Sequence, residues 1–270
     1  MKSLFSWLVL ILSIALLVSG CSSSDDGESS ASTTSDTGTS TTSLASTVIM
    51  ELSASLSSSS NSRQARVSSR STSKTLDQIS LTSAQITLVV DAATAAVAAA
   101  SLDSSEDLIQ IMPKIIEGTQ GKLATVGLSN SSETIKVINV IGNSLVKSIG
   151  ITGRIANLPS ASADNDSTAT ETVLSKITST SVANLDEAGL SSADIGTASS
   201  ELVETVVGSL GSGGISATEI GGALEKITAG AVGSLDQITG FSVSSLGDAI
   251  DNITSRATAA LGDITVTGYS

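Results

Sequence analysis

The side chains with the potential for chemistry are few. They are one thiol, Cys21, two Ser-x-x-Lys pairs at Ser71/Lys74 and Ser144/Lys147, and an acidic run, Asp164-Asn165-Asp166. The Ser-x-x-Lys spacing is that of the serine nucleophile in penicillin-binding enzymes. Neither pair is followed by the companion Lys-Thr-Gly, and in so Ser-rich a chain the spacing arises without meaning. The acidic run opens like a calcium loop, which needs Gly at its sixth position for a sharp turn and a bidentate Glu at its twelfth. Ala169 and Ser175 stand at those places, so no calcium ligand is assigned.

What is missing excludes more. The chain has no histidine, which removes the commonest general base and the most frequent zinc ligand. A single cysteine rules out disulfides and thiolate clusters within one chain. The aromatic residues are Phe5, Trp7, Phe241 and Tyr269, too few and too scattered for a stacking platform. A net charge of −13 disfavours nucleic acid, whose phosphates need basic side chains. The expectation is a protein that is not an enzyme, with no cofactor, no metal and no nucleic-acid partner.

Cys21 has a specific context. Lys2 provides a positive start, and Leu4–Val18 is apolar but for Ser6 and Ser13. That stretch is short, and polar residues follow it at once, as in a secretory signal rather than a membrane span. It ends Leu17-Val18-Ser19-Gly20-Cys21, which resembles the lipobox of bacterial lipoproteins, with Val18 where leucine is commonest. The resemblance covers the first 21 residues. It implies cleavage between Gly20 and Cys21, diacylglyceryl attachment to the Cys21 sulfur and acylation of the new amino terminus. Several acyl chains hold a protein firmly where one holds it marginally. With Lys2 gone, 12 basic and 26 acidic side chains leave −14. Ser22 rather than Asp after the cysteine favours the outer membrane, by the enterobacterial sorting rule.

The elements that follow are written in the spacing of apolar and capping residues. Residues 21–75 are mostly Ser and Thr, the composition of a disordered tether. Within it Leu44, Val48, Leu52 and Leu56 recur every fourth residue, as either a short amphipathic helix or a weakly helical part of the tether. Arg63, Arg66, Arg70 and Lys74 form a basic run, read as a solvated linker or a contact with anionic headgroups.

Beyond residue 76 one pattern recurs. Gly189-Leu190-Ser191-Ser192-Ala193-Asp194-Ile195-Gly196 returns at Gly214–Gly221 and again at Gly240–Gly247, with periods of 25 and 26 residues. Such a period marks a repeat architecture. Each copy starts with a hydroxyl and, in two copies, an acid three residues on: Ser191/Asp194, Ser216/Glu219, and Ser242 with Ser245 in the acid's place. This is a helix N-cap signature. The same grammar at Thr82/Gln85, Ser104/Asp107, Asn130/Glu133 and Thr168/Glu171 gives seven helix starts. Apolar residues follow at steps of three and four: Ile220, Leu224, Ile227, Ala231, Leu235 and Ile238, then Leu246, Ile250, Ile253, Ala257, Leu261 and Ile264. Earlier faces read Ile86/Val90/Val97, Leu108/Ile111, Ile135/Ile138/Leu145/Ile149 and Leu174/Ile177/Val182/Leu185.

Glycines at 196, 208, 221, 233 and 247 sit inside these helices, where each costs up to about 1 kcal/mol against Ala. Close approach between neighbouring helices is the preferred reason, a close-fitting partner the other. Pro113 is expected to kink or divide its helix. Asn157–Ser167 is the clearest break, either between two packed halves or as a long loop, and Gly268-Tyr269-Ser270 opens like another copy of the repeat.

The sequence therefore predicts an all-α array or bundle of amphipathic helices built on ~25-residue repeats, preceded by a disordered Ser/Thr-rich tether. Residues 1–20 form the signal, 21–75 the tether, 76–156 an N-terminal helical part, 157–167 a polar loop and 168–270 the C-terminal repeats. The expected function is that of a lipid-anchored envelope lipoprotein, outer-membrane located, whose repeat domain is a structural or interaction surface. Its partners would be the membrane through the lipid, and a protein partner or a second copy. The alternative is a membrane-active protein whose Gly/Ala-rich amphipathic helices insert into bilayers.

Overall fold

The computed structural model describes residues 38–61, 79–100, 108–128, 130–155, 166–238, 241 and 243–264, all within one packed unit, Thr37–Ser270. These residues form eight helices and no strand: α1 Gly38–Asn61, α2 Ser83–Ala99, α3 Leu108–Leu123, α4 Ser131–Ile155, α5 Asp166–Ala183, α6 Ser192–Gly208, α7 Ile220–Leu235 and α8 Val243–Gly262. The all-α array predicted from the repeat is what the chain forms.

The helices start and stop for local reasons. Thr82 caps α2 by accepting from the Gln85 N–H, while the Gln85 side chain accepts from the Thr82 N–H at 2.9 Å. Asn130 caps α4, its Oδ1 accepting from the Glu133 N–H at 3.0 Å. Ser191 caps α6 through the Asp194 N–H. At the other ends, Gly189 and Gly214 take φ values of +82° and +77°, a conformation that costs glycine little and L side chains a good deal. Around Gly189, its own N–H reaches the Asp186 carbonyl at 3.0 Å and the Leu190 N–H the Leu185 carbonyl at 3.3 Å. Gly214 repeats both bonds, to Gly211 and from Ile215 to Leu210. This pair of reversal bonds stops a helix and aims the chain into the next cap. The sequence period is therefore a period of stops and starts.

From α3 on, successive helices alternate between two rows. One row is α2, α3, α5 and α7, and the other is α1, α4, α6 and α8; neighbours within a row share the most extensive contacts. The rows are parallel where they repeat. Gly222 and Gly230 of α7 face Glu171 and Ser175 of α5 in the same order, and Gly196 of α6 faces Ala249 of α8 as Glu204 faces Arg256. Between α2 and α3 the sense is reversed: Gln85 Nε2 donates to the Val126 and Gly127 carbonyls, while Ala96 faces Gly118. A helix in a row buries its apolar stripe against its row neighbours and the opposite row together, which no single repeat could do alone.

Several expectations shift. Gly38–Asn61 is a 24-residue helix, so the segment read as helix or tether at Leu44–Leu56 is helix, and the tether assignment fails for these residues. Ala45, Val48, Leu52 and Leu56 are buried, and packing on α4 and α2 outweighs the weak helix propensity of Ser and Thr. Residues 62–78, with the basic run, and Ser104/Asp107 lie outside the described residues. α5 begins at Asp166, ahead of Thr168, and α7 begins at Ile220 rather than just after Ser216. In α2 the buried side chains are Val89, Ala92 and Ala93, while Ile86, Val90 and Val97 are half-buried; in α8 Ala249, Ile253, Ala257 and Ala260 are buried and Leu261 is exposed. Small residues face inward there because neighbouring backbones come close. Pro113 does not divide α3, and helices on both sides of 157–167 share one core, so that segment is a connection and not a boundary.

The glycine expectation is corrected. Among the described residues, a side chain at Gly208, Gly221, Gly233 or Gly247 would meet nothing within 4 Å, and one at Gly196 only ordinary contact. Close approach is made by others. A Cβ at Gly142 would lie 2.8 Å from Leu202 Cδ1, at Gly230 2.8 Å from the Ser175 carbonyl, and at Gly213 2.9 Å from Val146. Gly118 would meet Ala96, and Gly150 would meet Gly213.

The inward and outward faces of α7 separate cleanly. Ile227 is fully buried and Glu225 is exposed. Ile227→Ala should cost about 2–5 kcal/mol, and Glu225→Ala should stay within about 0.5 kcal/mol of wild type. Urea unfolding followed by circular dichroism measures both; equal effects would mean the face is misassigned.

Candidate functional site

The polar groups that could do chemistry gather in three places: the caps, the interior of α4 and a cationic clamp between α6 and α8. At the α6 cap the Ser191 hydroxyl donates to Asp194 Oδ2 at 2.6 Å, and the Asp194 N–H points to Ser191 Oγ at 3.3 Å. The hydroxyl of Ser191, then that of Ser131 at the start of α4, stabilises the carboxylate and holds its pKa below the usual value, against a smaller opposing effect of burial. A lowered pKa makes Asp194 a poor general base at neutral pH, and its position at a helix N-terminus gives it a structural use. At the α7 entry the Glu219 carboxylate accepts from the Ser216 N–H at 2.9 Å and from the Ser216 hydroxyl. The Glu219 N–H reaches the Ser216 carbonyl at 3.0 Å, and α7 itself begins only at Ile220, with no side-chain cap from Glu219.

α4 touches α1, α3, α5 and α6. Val137, Ile138, Val140, Ile141, Leu145 and Val146 are buried, and so are Asn139, Asn143, Ser144 and Ser148. The Ser144 hydroxyl donates to the Ile141 carbonyl at 3.0 Å and the Ser148 hydroxyl to the Ser144 carbonyl at 2.8 Å. A buried serine bonded to its own helix is no exposed nucleophile, so the Ser144/Lys147 pair forms no catalytic dyad. Ser209 Oγ lies 2.7 Å from Asn143 Oδ1 and 2.6 Å from the Thr205 carbonyl oxygen, its one proton shared between them. Among the described residues, Asn139 Oδ1 and both amide atoms of the fully buried Gln120 have no hydrogen-bond partner.

The clamp is Arg256. Its Nη1 meets Glu204 Oε2 at 2.5 Å and its Nη2 meets Glu201 Oε1 at 3.7 Å, tying α8 to α6. A partly exposed pair of this kind adds modestly to stability and fixes register.

Of the residues singled out from the sequence, Gly20, Cys21, Ser71, Lys74, Asp164 and Asn165 lie outside the described residues, and Asp166 opens α5. Among the described residues no three His, Cys, Asp or Glu side chains are placed to hold a metal ion, and no helix is long and apolar enough to cross a membrane. Two features escaped the sequence reading. Gly127, with φ +77°, follows Leu123-Ala124-Thr125-Val126 and precedes Leu128-Ser129 as Gly189 follows Leu185 and precedes Leu190-Ser191; that Leu-x-x-x-Gly-Leu-Ser match was there to be seen. The Asn143–Ser209 and Arg256–Glu204 pairings had no such signal, because they join residues far apart in sequence.

No known family pattern matches the chain, and no curated protein is significantly similar to it.

Two outcomes follow from this chemistry. A carboxylate whose folded pKa is depressed stabilises the fold above its unfolded value of about 4, and that contribution disappears as pH falls through the lower folded value. Asp194→Asn should therefore lower the melting temperature at pH 7 and leave it near wild type at pH 2, provided both remain folded enough to melt; a constant deficit would assign the loss to shape rather than charge. Gln120→Met removes an unsatisfied buried amide, whose desolvation costs about 1–3 kcal/mol. It should raise the urea midpoint, and a fall would mean that the amide is bonded in solution.

Proposed function

We propose that the protein is a lipoprotein of the bacterial cell envelope, held by acyl chains on Cys21, whose helical array is a non-enzymatic structural or interaction surface. The observation that carries this reading is the order of parts along the chain. Leu17-Val18-Ser19-Gly20-Cys21 closes an apolar segment, a polar Ser/Thr-rich stretch follows, and the packed unit runs from Thr37 onward. An anchor, a spacer and a rigid body in that order is the arrangement of a protein displayed from a membrane surface.

The chemistry of the array supports the second half of the proposal. Ser144, Asp194 and Glu219, which a sequence scan would test as reactive groups, are bonded into helix interiors and caps. The long helix faces left outward are polar and acidic, with Glu225, Asp248, Asp251 and Asp263 exposed. Repeat arrays use such extended faces to meet partners. The same acidity repels an anionic bilayer, so the anchor rather than the array would carry membrane attachment.

Cys21→Ser tests the address. Wild-type protein should incorporate labelled fatty acid and enter the detergent phase on phase separation. The variant should lose the label and either remain uncleaved or appear in the aqueous phase. Wild-type protein that carries no lipid and has a free Cys21 thiol would sink the proposal.

A further inference from the structure

One end of the array departs from its acidic surface. The rows finish on α7 and α8 at one end and on α2 and α1 at the other, and each pair is in contact across the rows. At the α7/α8 end the outward side chains include Glu225, Asp248, Asp251, Thr254 and Thr258. Terminal units with a polar outer face keep a repeat array soluble. At the other end α1 and α2 together carry two charged side chains, Glu51 and Asp91, and no basic one. Large apolar side chains stand out here, Met50 of α1 at 59% exposure and Leu88 of α2 at 50%. α2 is the sharper case. It is apolar on every side, the composition of a helix buried all round, yet only α3 and α1 cover it among the described residues. Ala84, Leu88, Ala95, Ala98 and Ala99 form an exposed outward strip, with Asp91 its one charge.

The chemistry of this end selects its occupant. Helices that lie on a bilayer carry lysine and arginine beside their apolar residues, and α1 and α2 have neither. A basic partner would find two acids here and more of them at the α7/α8 end. A second copy fits on three counts. Two chains of net charge −13 repel each other, so they meet most easily where charge is sparsest. Alanine lets helices approach closely, as Ala96 does at Gly118 and Ala249 at Gly196 within the array. A face that packs by being small and smooth also complements itself, which a two-fold contact requires. The area is sufficient as well. The 17 residues of α2 run ~25 Å and two helices side by side span ~20 Å. That gives about 500 Å² per copy and about 1,000 Å² in all, near the lower end of specific interfaces.

We propose that the α1/α2 end is a homodimer interface, in which the Ala84–Ala99 strip of α2 packs on the same strip of a second copy about a two-fold axis. This rests on the reading of the array as an interaction surface and names its partner, and it holds whether or not Cys21 carries lipid. The contact covers Leu88 and Met50 and leaves the acidic α7/α8 end of each copy outward. Because the same face is used on both sides, assembly closes at two copies and no open filament follows.

The test places the photo-cross-linking residue p-benzoylphenylalanine in the full chain, either at position 87 beside the α2 strip or at position 255 on the outer face of α8, both exposed. Light should convert the position-87 protein to a band of twice the monomer mass, less of it on dilution, and should leave the position-255 protein monomeric. Leu88→Lys should lower the dimer yield about tenfold or more, as expected of an apolar anchor at the middle of a contact. Should circular dichroism show that it folds poorly, Ala95→Lys, at an exposed alanine, serves in its place. Asp91→Asn should raise the yield, because each copy brings that acid to the contact. Added salt should raise it too, by screening the repulsion between two acidic copies. A position-87 protein that stays monomeric at every concentration overturns the proposal, as does a dimer indifferent to both lysine substitutions. Cross-links from position 87 to lipid or to a different protein also overturn it and assign the face to that occupant. Dimers from position 255 alone would do the same and move self-association to the acidic end.

Discussion

The fold depends on the hydrogen bonds that buried hydroxyls make to their own helices. Thr119 donates to the Ile115 carbonyl at 2.7 Å, Thr178 to Leu174 at 2.9 Å, Ser199 to Ile195 at 2.8 Å and Ser234 to Gly230 at 2.8 Å. Without that bond, each would carry the cost of an unpaired polar group in the interior. With it, a serine or threonine behaves as a small, self-satisfied side chain. This is how a chain so rich in Ser and Thr, and so poor in aromatic residues, builds a core. Helices also come close, with backbone against backbone at Gly150, Gly213 and Gly230 and the Leu202 side chain against Gly142.

Small parts make the array dependent on where helices stop. A bulky core can tolerate a helix that slides, because large side chains find new hollows. A core of aliphatic side chains interleaved with alanine and serine has no large aromatic group to key one helix to the next, so register has to be fixed at the ends. The left-handed glycines at 127, 189 and 214, the caps that follow, and the Arg256 clamp at mid-helix set that register. α4 touches four other helices and carries polar side chains inward, one pair matched across 66 residues at Asn143 and Ser209.

Much of this was written locally and could be read locally. The Thr82, Asn130 and Ser191 caps and the buried faces of α4, α5 and α7 depend on residues within four places of one another, and the 25-residue period on the plain recurrence of such a unit. What could not be read depends on neighbours. The inward turn of Ala249 and Ala257 in α8, with Leu261 left outside, follows from how close α6 comes. The repeated glycines looked like contact points because period and contact usually coincide; the true contacts, such as Gly222 against Glu171, fall beside them. α1 is the clearest tertiary override, since its Ser/Thr composition argued for coil and a single apolar stripe against α4 decided for helix. The candidate site was legible at its anchor, in five consecutive residues ending at Cys21, and not in the array, where reactive types are used for structure.

The alternation of rows has a consequence for how such a chain can lengthen or shorten. From α3 onward each helix lies in the other row from the one before it. Duplicating one 25-residue unit would therefore transfer every later helix to the wrong row, with its buried stripe facing a stranger. Duplicating two keeps each downstream helix beside its old kind of neighbour. Gain and loss of sequence in this architecture obey a parity rule: relatives that keep the core should differ by helix pairs, about 51 residues at a time by the spacing of Gly189 and Gly240.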